Sequence, residues 1–119
     1  MTNMSSSEKE VLLKTTSTWD NEEYKTLEIN KPEVTVLKIT IGVGERLSMH
    51  KHNLVNVAYL KKGTLTIVTD NNEQITIHEG EALPELIGKY HYGKNTGSVP
   101  VELIVFYIGE KGTPLSVSE

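Results

Sequence analysis

Short β-branched runs closed by Gly, Asn or Asp recur along this chain, and no window of helical length carries a 3.6-residue apolar period. That pattern decides the fold class. In Val34–Ile41, Leu37, Ile39 and Ile41 alternate with Lys38 and Thr40, as a strand with one buried face requires. Gly42-Val43-Gly44 ends the run. Asn53–Leu60, Thr64–Thr69, Gln74–His78 and Ala82–Ile87 read as further strands, with Asp70-Asn71-Asn72 as a hairpin turn. Val101–Ile108 is the strongest of them, an apolar run broken only by Glu102. Gly93–Pro100 reads as a loop, and the tail from Gly109 to Glu119 as a last edge strand. Regularly spaced short strands with turns between them predict an all-β barrel or sandwich.

A chain of 119 residues is one domain. Residues 1–10, rich in Ser, Glu and Lys, read as a flexible leader to a single domain over 11–119. No cysteine is present, which removes disulfides, thiolate metal sites and thiol nucleophiles. The net charge of −4 is dispersed, and no basic run exceeds Lys61-Lys62. Nucleic acid is therefore not an expected partner, since a phosphate-binding face needs clustered positive charge. No stretch has the apolar length of a membrane helix. MTNMSSSEKE lacks the hydrophobic core of a signal peptide, so a cytoplasmic location is expected, or a periplasmic one if a signal peptide has been removed.

Two of the four histidines, His50 and His52, stand one residue apart and would share a face of an extended segment. Imidazoles so placed can grip one metal ion through neutral ring nitrogens. Surface or hydrogen-bonded core histidines would show the same pair. The spacing around them says more. Gly44-x5-His50-x-His52-x3-Asn56-x6-Gly63 is followed by Gly80-x5-Leu86-x-Gly88-x2-His91-x3-Asn95.

Together these resemble the two motifs of the cupin superfamily, G-x5-H-x-H-x3,4-E-x6-G and G-x5-P-x-G-x2-H-x3-N. Each is matched at every position but one, over residues 44–95. The resemblance implies a double-stranded β-helix, or jelly-roll barrel. It also implies a divalent metal (Fe, Zn, Ni or Mn) held inside by His50, His52 and His91. Asn56 stands where the family has its ligand glutamate and would be a weak fourth ligand. A neutral carbonyl oxygen there leaves the ion its whole double charge, which predicts weaker binding and a stronger Lewis acid. Asn56 would equally suit a former metal site that has become a plain binding pocket.

Glu85, beside Leu86, is a candidate ligand or general base, although a solvent-facing strand residue is the simpler expectation. Arg46 shares parity with His50 and is a candidate anion clamp at the pocket mouth, against a surface arginine stacked on a neighbour. His78, Glu79, Glu81 and Glu102 read as outward. Tyr90 and Tyr92 should face away from the metal, Trp19 should pack on the core, and Asn95 reads as a structural turn residue. No nucleophile elbow, P-loop or dinucleotide fingerprint is present.

Three functions remain open: a metal-dependent dioxygenase, isomerase, lyase or hydrolase acting on a small, anionic metabolite; a non-catalytic ligand-binding or sensing module without metal; and a structural domain. A homodimer is expected, joined through the N-terminal segment or the 101–108 strand.

Overall fold

The computed structural model describes residues 6–119 and contains nine strands. These are β1 (Pro32–Ile41), β2 (His50–Lys51), β3 (Val55–Lys62), β4 (Thr64–Thr69) and β5 (Gln74–His78), then β6 (Ala82–Pro84), β7 (His91–Asn95), β8 (Val101–Glu110) and β9 (Val117–Ser118). They form a four-stranded sheet in the order β1-β8-β3-β6 and a five-stranded sheet in the order β5-β4-β7-β2-β9. Every pairing is antiparallel, from the β1–β8 ladder to the single His50–His91 pair of β2 and β7. The two sheets close into the jelly-roll barrel expected. No helix long and apolar enough to cross a membrane is present among the described residues.

Alternation places the core. Along β8, Val101, Leu103, Val105 and Tyr107 are buried, while the residues between them face outward. On β3, Asn56, Ala58 and Leu60 point inward opposite them. Leu65 and Ile67 of β4 meet this layer from the other sheet, with Ile77 and Leu83 at its margin. Leu60, Leu65 and Val101 are fully enclosed, each contributing about 1.5–3 kcal/mol of burial.

Two expectations need correction. Residues 93–95 extend β7 rather than open a loop: Gly93 lies opposite Ile67, and a Cβ there would stand 3.3 Å from Leu65 Cδ1. The glycine that reads as a turn is instead a strand residue against which a core leucine packs. β8, named as a dimerising edge, is paired on both sides, by β1 and by β3. The edges of its sheet are β1 and β6. The tail does form an edge strand, β9, which lies along β2. Of the leader, residues 1–5 lie outside the described residues, and 6–10 are exposed and without strand.

The N-terminal segment ends on the barrel beside the second motif. Trp19 packs on the core, as expected, and its backbone N–H donates to Pro84 O at 3.0 Å. Lys89 pairs with Asp20 and, at 3.0 Å, with Glu22. The loop between β6 and β7 is thereby tied down from outside. From inside, Glu85 N–H donates to Asn56 O at 3.1 Å and Gly88 N–H to His52 O at 2.7 Å. Gly88 makes that turn at φ +72°, a conformation that favours glycine.

Candidate metal centre

His50 from β2, His52 just after it and His91 at the start of β7 come together inside the barrel. Each offers one ring nitrogen, and these atoms lie within 4.8 Å of one another. Ring centroids are separated by 4.7 to 5.0 Å. His52 and His91 are buried, and His50 is half-buried toward the opening.

The three rings are held alike. His50 Nδ1 lies 2.7 Å from Ser48 O, His52 Nδ1 2.8 Å from Leu115 O, and His91 Nδ1 2.9 Å from Lys89 O. A carbonyl only accepts, so each Nδ1 carries the hydrogen, and in the neutral imidazole each Nε2 is left with a lone pair. His91 Nε2 is buried without a hydrogen-bond partner. Three imidazoles with the same tautomer fixed by backbone acceptors are the donor set a divalent metal needs, and orphaned lone pairs are otherwise costly. The residues fit the ion.

Glu85 is the surprise. Instead of facing solvent it is only 6 % exposed. Its Oε2 lies 3.7 Å from His52 Nε2 and 3.6 Å from His91 Nε2, and its Oε1 is buried without a partner. Burial alone would push this carboxyl up, but the two imidazoles, when protonated, outweigh it and hold its pKa at about 2. For His91, burial pulls down and the Glu85 carboxylate more than offsets it, so the imidazole sits above its ordinary value. Burial lowers His50. Tyr107, edge-on to His52, is pushed up to about 12, first by burial and then by Glu85, and stays a neutral phenol.

Asn56 is fully buried but donates its amide N–H to Leu54 O at 3.1 Å, and it is not among the residues lining the cavity at the histidines. Arg46 is not there either. Its guanidinium lies 4.2 Å over the exterior Tyr92 ring, the surface stacking that was the alternative to an anion clamp. Lys51 likewise covers Tyr90, so both tyrosines face away from the histidines, and His78 is exposed. Asn95 is structural. It donates to Ile41 O and Val99 O and accepts from Gly97 N.

Two spaces border the rings, and Ile39, Leu47, His50, His52 and Tyr107 line both. A small cavity of about 30 Å³ is bounded by Leu65, Ile67, Glu85, Leu103 and Val105. Toward solvent a mouth of about 220 Å³ lies between Leu37, Ile39, Leu47, Leu115 and the serines 48, 116 and 118. Neither space is lined by Lys or Arg.

The sequence profile described as Cupin domain matches residues 37–107, more than half of the chain. The chain belongs to the cupin family. No curated protein matches this cupin in sequence. Among solved structures it is similar to a Bacillus halodurans protein, at 22% identity and a TM-score of 0.60, over 72% of this chain and 69% of that one. It is also similar to a cupin-like protein of Thermotoga maritima, at 10% identity and a TM-score of 0.63, over 72% and 64%. Oxalate decarboxylase of Lactobacillus farciminis, solved with formate, aligns at 17% identity and a TM-score of 0.61. This cupin covers 26% of that protein, with 71% of its own length aligned. Likenesses at these identities speak to the fold.

Proposed function

We propose that this cupin holds a divalent metal on the Nε2 atoms of His50, His52 and His91 and presents it to a small molecule entering past Leu115. The observation that supports this reading is the matched trio of Nδ1–H bonds to backbone carbonyls, on three rings whose ligand nitrogens lie within 4.8 Å of one another. When bound, the ion would act as a Lewis acid on an oxygen of the ligand.

The chain's own residues do the rest. Leu37, Ile39, Leu47 and Leu115 shield the ligand's body from water, and Ser48, Ser116 and Ser118 offer hydroxyls at the rim. With Arg46 on the exterior and no other cation lining the mouth, the ligand is a small, largely apolar molecule with an oxygen donor, not a polyanion. Tyr107 keeps its proton and can donate it as a hydrogen bond within the cavity. Among the protein's neighbours are an oxalate decarboxylase, a DMSP lyase and a polyketide cyclase, which shows how varied the chemistry on this fold is.

Metal analysis of untagged protein tests the reading. The expected result is uptake of added nickel, zinc or iron by the native chain and loss of it in His91→Ala. A native protein that refuses all three metals would instead favour the metal-free binding module, for which Asn56 in the first motif is the supporting feature.

A further inference from the structure

We infer that the carboxylate ligand missing from the first motif has moved to another strand end: Glu85, directly after β6, takes the place that Asn56 cannot fill. The inference rests on the metal reading above and adds the identity and origin of the fourth donor.

Four observations converge on it. Glu85 is buried in the barrel, where a carboxylate needs a counter-charge. Its Oε1 has no hydrogen-bond partner, although such a buried oxygen ordinarily has one. Its Oε2 stands 3.7 and 3.6 Å from two of the three convergent Nε2 atoms. Bonds of about 2.1 Å at tetrahedral angles would put neighbouring ligand atoms about 3.4 Å apart, so these separations are within a few tenths of an ångström of ligand spacing. Asn56, meanwhile, has its amide N–H on Leu54 O, and although its Oδ1 is also buried without a partner, Asn56 does not line the space at the three rings as Glu85 does.

The backbone explains how one residue can stand in for the other. Glu85 N–H donates to Asn56 O, so the two positions are joined across β3 and the end of β6. A carboxylate lost from β3 can be restored from the adjoining chain without moving a histidine. The consequence is a site with one negative charge, not the uncharged donor set that Asn56 predicts. Its metal should be bound more tightly, and be less acidic, than three imidazoles alone would give.

Chelator-stripped, untagged protein titrated with zinc and with cobalt(II) tests this. Glu85→Gln, nearly the same shape, should weaken both metals by at least about tenfold, a scale on which even an outer-shell partner acts, and shift the visible cobalt bands. Glu85→Asp keeps the charge but withdraws the oxygen, and should also lose affinity. A purely electrostatic role would leave Glu85→Asp close to native. Asn56→Glu combined with Glu85→Gln should recover most of the affinity by returning the carboxylate to β3. Native affinity and an unchanged cobalt spectrum in Glu85→Gln would overturn the inference while leaving the three-histidine site standing. Failure of the native chain to bind either metal would overturn both.

Discussion

Asn95 makes three hydrogen bonds, one buried and two part-buried, and lies outside the walls of the spaces at the histidines, so its removal isolates a structural contribution. Its Nδ2 donates to Ile41 O at 3.0 Å and Val99 O at 2.9 Å, and its Oδ1 accepts from Gly97 N at 2.9 Å. Those bonds pin the end of β1 and both ends of the 96–100 loop to β7. Asn95 is 2 % exposed, so water does not readily replace the lost partners. At about 1 kcal/mol net per bond, Asn95→Ala should cost about 3 kcal/mol. For a domain of this size that is a fall in Tm of roughly 10–15 °C. Asn95→Asp keeps the acceptor but turns two donations into carboxylate–carbonyl repulsion, so it should be at least as damaging at neutral pH. Urea unfolding of the metal-free protein, with the slope compared between variants, reads both. An Asn95→Ala cost below about 1 kcal/mol, or an Asp variant as stable as native, would show that this clamp is not what holds the loop.

Metal-free protein should respond to pH through Glu85 and His91. Glu85 is depressed, so its contribution is present above 4.5 and is lost as pH falls toward about 2, a loss on the order of 3 kcal/mol. His91 is raised, so its contribution is full below 6.5 and is lost as pH rises through its folded value. Stability should thus peak between these limits, and urea melts of Glu85→Gln should show neither slope; an unchanged profile would refute the pairing. Arg46→Ala should leave ligand and anion binding untouched and cost no more than about 1 kcal/mol, the worth of an exposed cation–π contact. A loss of anion binding would return Arg46 to the site. We propose a second copy of this chain as the occupant of the outer face of β1 and β8, where Val34 pairs with Ile108 and Val36 with Phe106, all four exposed. Two such rows are self-complementary across a two-fold axis. Sedimentation should show a dimer that Phe106→Glu separates, and a native monomer at all concentrations would dismiss it.

Most of this barrel was legible because its strands are buried on one face. Alternation in 34–41 and the turn at Asp70-Asn71-Asn72 located β1 and the β4–β5 hairpin closely. The profile match and the histidine cluster agree with the spacing that singled out His50, His52 and His91. Gly93 misled because turn composition and close packing both select glycine, and only the position of Leu65 separates the two. Glu85 misled for a different reason. Its shared parity with His91 carries little weight across the Gly88 turn, and a charged residue on a strand is ordinarily expected to face water. A signal was nonetheless there: Ala82-Leu83-Pro84-Glu85-Leu86-Ile87 is apolar on both faces, so a carboxylate in its midst is enclosed. Leu115 was invisible, because a backbone carbonyl leaves no trace in the side-chain pattern.

That carbonyl also bears on the order in which the protein is made. His52 takes its orientation from Leu115 O, 63 residues further along the chain, and β2 has β9 as a neighbour. While the chain is emerging from the ribosome, His50, His52 and His91 are all synthesised before the group that aims one of them exists. Under the metal reading proposed above, the full set of three aimed rings forms only once β9 lies along β2, unlike a zinc finger, whose ion drives folding.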